Sequence, residues 1–263
     1  MEITILGCGS SSGVPLIGGT DGHGDWGVCD PHEPRNRRTR ASIALQVAGG
    51  ETLLVDAGPD LRAQLLRVGL KQVDALLLTH SHADHIMGLD EMRTLNRLMQ
   101  KAVPTFGTAL TLADAARRFD YAFREPTPGF FRPALTAIEV QLGQRLRIAG
   151  LELQLFRQDH KVMDTLGFRA GSFGYSTDVV SLPEESLSVL QGVDTWVVGC
   201  FGRKPHPVHA HVERVAEWVA RLKPRRTILT HMGSDLDWAW MQANLPAGIE
   251  PAFDGMRITV AEP

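Results

Sequence analysis

Apolar residues in this chain come in short runs, broken by glycine, proline and charge. Residues 3–6 predict a first strand, followed over 7–38 by a long loop rich in glycine, serine and charge. A loop of that length inside a compact domain is usually functional. Residues 41–47 and Thr52–Val55 predict two strands joined at Gly49-Gly50. Leu61–Val68 predicts a short helix, and the apolar run 73–78 a buried strand. Over 89–99, Leu89, Met92, Leu95, Leu98 and Met99 fall on one helical face, which predicts a core helix. A third helix is predicted over 108–119, and Pro126, Pro128 and Pro133 mark a loop. Strand-like runs follow at 135–140, 144–148, 151–156 and 168–175. Then come a helix at Glu184–Leu190, a strand at 196–198, a helix at Val212–Leu222, and strands at 228–230 and 256–260. Hairpins first, then strands alternating with helices, suit an α/β fold of two mixed sheets between helices.

The 263 residues are 43% hydrophobic and 22% charged, which suits one large domain over 1–263. A net charge of −3 and a pI near 6.4 give no strongly basic overall balance, so a large nucleic acid is not the expected partner. Cys8, Cys29 and Cys200 are scattered and odd in number, as reduced thiols are. The acidic N-terminal start is followed by too short an apolar run for a signal peptide. No run approaches the roughly 18 apolar residues of a membrane span. The expectation is a cytoplasmic enzyme.

The run Thr79-His80-Ser81-His82-Ala83-Asp84-His85 changes the picture most. It crowds three imidazoles and a carboxylate directly behind a buried strand. Alternate side chains at a strand end share a face, so His80 and His82 can reach one metal. Asp84 and His85 follow where a turn is expected and can serve a second. Nitrogen and carboxylate donors suit zinc, iron or manganese. Further candidates stand at or just past apolar runs: Asp56 in Leu53-Leu54-Val55-Asp56-Ala57-Gly58, His160 after Gln158-Asp159, Asp178 after Gly174-Tyr175-Ser176-Thr177, and His231 after Thr227-Ile228-Leu229-Thr230.

In type and order these residues resemble the metallo-β-lactamase superfamily along essentially the whole chain. The resemblance implies an αββα sandwich of two mixed sheets flanked by helices. It also implies two divalent ions, zinc or manganese: His80, His82 and His160 on the first, Asp84, His85 and His231 on the second, and Asp178 bridging both. Such a pair lowers the pKa of a shared water and clamps developing oxyanions. Asp56 is expected either to orient a ligand imidazole or simply to sit in a turn before Gly58. A weak echo between Asp56 and Asp178 accords with the two related halves that the resemblance suggests.

Relatives that cleave phosphodiesters carry a general acid just before a helix. His209, in Lys204-Pro205-His206-Pro207-Val208-His209-Ala210-His211, matches best. With Asp84 it is the expected catalytic residue, and its pKa is expected near the working pH. His206 is an alternative that could contact phosphate, and His211 could cap the helix. His23 and His32 are expected on the surface. The Ser11-Ser12-Gly13-Val14-Pro15 start resembles the PhnP-like cyclic phosphodiesterases, as do Arg35-Asn36-Arg37-Arg38, Met232-Gly233-Ser234-Asp235 and Phe253-Asp254-Gly255-Met256. The named member of that branch opens a phosphoribosyl cyclic phosphate and is a homodimer. Arginines 35, 37 and 38 could hold a phosphate or form a basic surface turn. With only Cys29 in the first loop and Ser234 after His231, that branch's remote structural zinc is not expected. The implied activity is hydrolysis of a small phosphodiester. The rivals are a tRNA 3′-endonuclease of the RNase Z type, a thioester or lactone hydrolase, and a non-catalytic nucleotide or metal sensor. Only residues 161–177 separate His160 from Asp178, too few for the tRNA-binding arm that RNase Z inserts there.

Overall fold

The computed structural model describes residues 1–47, 49–125 and 134–261. Pro126, Pro128 and Pro133 lie outside the described residues. Two seven-stranded sheets stack face to face. The first contains β1 (Glu2–Gly7), β2 (Ser42–Gln46), β3 (Thr52–Val55), β4 (Ala75–Leu77), β5 (Val103–Gly107), β6 (Leu135–Glu139) and β14 (Arg257–Thr259), in the order β14-β1-β2-β3-β4-β5-β6. The second contains β7 (Arg145–Ile148), β8 (Leu151–Asp159), β9 (Asp164–Ala170), β10 (Phe173–Ser176), β11 (Thr195–Gly199), β12 (Arg226–Thr230) and β13 (Ile249–Pro251), in sequence order across the sheet.

Each sheet is antiparallel over one half and parallel over the other. β14, β1, β2 and β3 pair antiparallel, and β3 to β6 pair parallel. Likewise β7 to β10 pair antiparallel and β10 to β13 parallel. The echo in the sequence is therefore a repeated plan: β3 leads into Asp56, and β10 into Asp178.

The uninterrupted apolar runs have a direct cause. Leu53, Val55 and Leu77 pack between the sheets, while Leu54, Leu76 and Leu78 pack outward against helices. Strands covered on both faces need no polar alternation. Burying each such leucine contributes about 1.5–3 kcal/mol.

The helices are α1 (Leu61–Val68), α2 (Ala83–Ile86), α3 (Met92–Met99), α4 (Ala109–Arg118), α5 (Asp120–Phe123), α6 (Glu184–Leu190), α7 (Val212–Leu222) and α8 (Trp238–Asn244). Gly69, at φ 71°, closes α1 in the left-handed conformation that glycine adopts without strain. The predicted core stripe over 89–99 needs one correction. A 3₁₀ turn at Leu89–Glu91 precedes α3, and Leu98 is 66% exposed. Six residues past Met92, at about 100° each, it points away from the face that Met92 and Leu95 bury. The run 168–175 is also divided, into β9 and β10, by a turn at Gly171. Among the described residues no helix is long and apolar enough to cross a membrane.

The first loop is tied to the second sheet. Arg38 is buried and donates to the carbonyls of Gly233 and Leu236, and Asp237 accepts from the Asp30 backbone and the Asn36 amide. The Cys29 thiol lies 3.4 Å from the Ser234 carbonyl. All three cysteines are free and buried.

Candidate metal centre

Loops at the strand ends of both sheets converge on one spot. β4 ends at Leu77, and the chain runs through Thr79 and His80 to His82, which is extended (φ −64°, ψ 152°) and opens α2. Asp84 and His85 therefore stand on the first turn of a short helix, not in an open turn. The loop after β3 grips that helix closely: a Cβ on Gly58 would lie 2.1 Å from the Asp84 carbonyl oxygen. The second sheet adds His160 after β8, Asp178 after β10 and His231 after β12. Asp178 and His231 take left-handed backbone angles, φ 47° and 53°. Such angles cost roughly 1–3 kcal/mol off glycine and persist where the surroundings impose them.

These side chains form two groups whose donor atoms lie within 4.8 Å of one another: His80, His82, His160 and Asp178, and Asp84, His85, Asp178 and His231. Asp178 belongs to both, and its two oxygens divide between them. Oδ1 lies 3.9 Å from His80 Nε2 and 3.7 Å from His160 Nε2. Oδ2 lies 3.0 Å from His85 Nε2 and 3.3 Å from His231 Nε2. The Thr177 hydroxyl donates to Oδ2 at 2.9 Å and holds the carboxylate in this pose.

The rings are held from behind. Asp56 accepts from the Thr79 backbone and hydroxyl and lies 2.7 Å from His85 Nδ1. His80 Nδ1 lies 3.0 Å from the Thr79 hydroxyl. His160 Nδ1 is 2.8 Å from the Val208 carbonyl, which can only accept, so Nδ1 carries the proton and Nε2 presents its lone pair. Among the described residues no group hydrogen-bonds the His82 ring, and His231 Nδ1 is buried without a partner.

A cation fits this arrangement. His80 Nε2 is buried with no hydrogen-bond partner and aims into the first group, and His85 Nε2 faces the Asp84 and Asp178 oxygens of the second at 3.1 and 3.0 Å. Buried polar atoms are normally satisfied. Burial alone would lower the His85 pKa, yet Asp178, Asp56 and Asp84 outweigh it and raise that pKa well above its usual value. Burial would raise Asp178, but His231 and His85 hold it well below the carboxylate range. Burial, and then His85, lower His80; burial, and then His160, lower His82. The buried Asp56, Asp84 and Asp178 carboxyls thus gather around His85, while burial disfavours a charge on His80 and His82.

His209 lies against both groups, with Nδ1 3.8 Å from Asp178 Oδ1 and its ring 4.8 Å from those of His160 and His231. Phe201 is stacked beside it at 5.2 Å and 14°, with His206 completing the cluster at 5.1 Å. Sequence reading passed over Phe201, since a single aromatic past a strand carries no signal. Burial and then His231 push the His209 pKa down to about 3, although Asp178 pulls upward. In the free site this differs from the expected value near neutrality. His211 takes the N-cap position of α7 without a side-chain capping bond, and His23 and His32 are exposed.

Of the two alternatives for the first-loop arginines, a phosphate site or a basic surface turn, their partners favour a local role. Arg35 pairs with Glu33 at 2.6 Å and lies over Trp238, Arg37 lies over Trp26, and Arg38 is consumed by carbonyls. The loop start does reach the site, because the Ser10 amide donates to the Met232 carbonyl, beside His231.

The family model for the β-lactamase superfamily domain matches residues 51–232. A solved diphosphatase of the PhnP family is 33% identical, covering 99% of this chain and 98% of that one with a TM-score of 0.89. The chain belongs to the metallo-β-lactamase superfamily, in its PhnP-like branch. An octanoyltransferase of Porphyromonas gingivalis is 29% identical over 100% of this chain and 52% of its own length, so the chain spans about half of that relative. A ribonuclease Z of Mycolicibacterium gilvum is 28% identical, over 92% of this chain and 90% of its own.

Proposed function

We propose that this chain is a metal-dependent phosphoric diester hydrolase acting on a small cyclic phosphoribosyl-type or nucleotide-like substrate. The observation that carries the reading is the division of Asp178, one oxygen toward each donor group. In it, His80, His82 and His160 hold one divalent ion, Asp84, His85 and His231 hold the second, and Asp178 joins them. Two such ions supply Lewis acidity, lower the pKa of a bound water and neutralise charge on a phosphoryl group. His160, His80 and His85 are kept in fixed orientations by Val208, Thr79 and Asp56. His209 delivers a proton to the leaving oxygen. Its position against Asp178, at the edge of both donor groups, supports this role. Likeness to a PhnP-family diphosphatase agrees with phosphoryl chemistry.

Residues 161–177 are taken up by β9, β10 and their turn, which supports a small substrate over a tRNA. The octanoyltransferase likeness favours a second reading, hydrolysis of an acyl thioester by the same donors. One panel tests both, using zinc- or manganese-loaded protein with a bis-aryl phosphate, an aryl monoester, a ribosyl cyclic phosphate, an octanoyl thioester and a precursor tRNA. The diesters are expected to turn over well and the monoester and tRNA poorly. An octanoyl thioester better by orders of magnitude replaces the phosphodiester reading with the second one, and efficient trailer cleavage replaces it with an RNase Z reading.

A further inference from the structure

Ser81 lies between two side chains of the first donor group, and α4 grips it from both sides. Its hydroxyl donates to Asp114 Oδ2 at 2.9 Å, and its carbonyl accepts from Arg118 Nη1 at 2.9 Å. Asp114 and Arg118 are one helical turn apart on α4, and Arg117 holds the other Asp114 oxygen at 2.8 Å. The helix is itself anchored, with Thr108 at its N-cap. The grip is specific to one stretch of backbone, since Ser81 is buried while Asp114 and Arg118 are each 35% exposed on their side chains. Ion pairs as exposed as theirs add little to folding stability.

The need for such a grip is visible in the neighbouring rings. Within the first group, His80 and His160 each have an outer partner, whereas the His82 ring has none among the described residues; in the second group His85 has one and His231 does not. The His82 ring meets the His80 and His160 rings edge-on at 4.6 and 5.2 Å, but with no hydrogen bond of its own it depends more on its backbone for position. The Ser81–His82 peptide is what the α4 pair fixes.

We infer that Asp114 and Arg118 are positioning residues for the first ion, setting His82 through Ser81 in place of the hydrogen bond its ring lacks. The inference rests on the metal-holding reading above, and it predicts an unequal effect. Loss of the grip weakens the first ion and leaves the second, which is held from α2 and by His231, nearly untouched.

The test is stepwise chelator competition on zinc-loaded protein, with melting of the metal-free protein alongside. Ser81→Ala, Asp114→Ala and Arg118→Ala are each expected to weaken one of the two ions by about 10–100-fold, the range for groups that orient metal ligands. The second ion and the metal-free melting temperature should stay near wild type. Asp114→Asn keeps an acceptor for the Ser81 hydroxyl and should recover most of the affinity. Ser81→Ala combined with Asp114→Ala should be no worse than either alone, because both remove one bond. Equal weakening of both ions, losses that add in the double variant, or a melting change without an affinity change would each overturn the inference. Wild-type protein that takes up no zinc would instead overturn the underlying metal reading.

Discussion

The two sheets repeat one plan and use it differently. In each, the strand joining the antiparallel half to the parallel half leads to a buried aspartate in the left-handed region, Asp56 at φ 62° and Asp178 at φ 47°. After the next strand, each half continues into a histidine-bearing loop: His80 to His85 after β4, and His206 to His209 after β11. Asp56 stays behind its loop, gripping Thr79 and His85. Asp178 comes forward and faces both donor groups. One topological position thus serves as a support in one half and as a shared donor in the other. The loop in the first half is a dense block of donors. The one in the second half offers His209 beside them.

The largest effect should come from removing the forward aspartate. Asp178→Ala takes an oxygen from each group, so metal analysis should fall from about two ions per chain toward none, and phosphodiester turnover should fall to background. His160→Ala and His231→Ala each touch one group, and each should lose mainly one ion. Unchanged stoichiometry in Asp178→Ala would remove the contrast between the two aspartates.

Next comes the loop contrast. His209→Ala should lower kcat by about 10²–10⁴-fold on a diester with an alkoxide leaving group, the usual worth of a general acid. With nitrophenolate, which departs without a proton, the loss should shrink, and both ions should remain bound. His206→Ala and His211→Ala should be milder on both substrates. Loss of metal in His209→Ala would make it a donor like the histidines of the first loop. A larger leaving-group dependence for His206→Ala would move the acid three residues upstream.

The supporting aspartate should give a smaller and more selective change. Asn tolerates the left-handed angle at position 56 and retains an acceptor. Asp56→Asn removes the carboxylate charge facing His85 and one of the two accepting oxygens, and the second ion should weaken by about 10–100-fold. Chelator competition resolves this from the first ion, and a parallel fall in both would make Asp56 a general support of the fold.

The contrast also explains what could be read from the chain. The run His80 to His85 stands out because its donors are neighbours in sequence, and no folding knowledge is needed to see them crowd. His160, Asp178 and His231 are single polar residues at strand ends, meaningful only through their order and the fold that gathers them. Strands buried on both faces, such as β3 and β4, were legible as apolar runs. β5 was not, since Pro104 interrupts a short mixed sequence that parallel neighbours nevertheless pair. α8 was hidden because its start depends on the Asp237 cap beside the site loop. The basic character of arginines 35, 37 and 38 invited a ligand reading. Their carbonyl, carboxylate and ring partners come from segments roughly two hundred residues away or from their own loop, which no local pattern reveals.

The smallest effect should fall on that first loop, which ties the halves together without entering the donor set. Asp237 caps α8 through the Trp240 amide and accepts from Asp30 and Asn36. Burial would raise its pKa, but the Trp240 and Asp30 amides and the Asn36 side chain outweigh burial and lower it. Asp237→Ala should cost about 1 kcal/mol, the typical worth of an N-cap, with metal content unchanged and phosphodiester turnover close to wild type. The sign of the pH dependence follows from the lowered pKa. The carboxylate stabilises the fold fully above its unfolded value of about 3.9, and that contribution is lost as pH falls through the lower folded value. Denaturation of wild type and variant should therefore differ by a constant amount from pH 7 to 5, and the gap should close below about pH 4. A gap that persists in acid would mean that the cap acts without its charge. A loss of metal would mean that the first loop belongs to the donor site rather than to the framework around it.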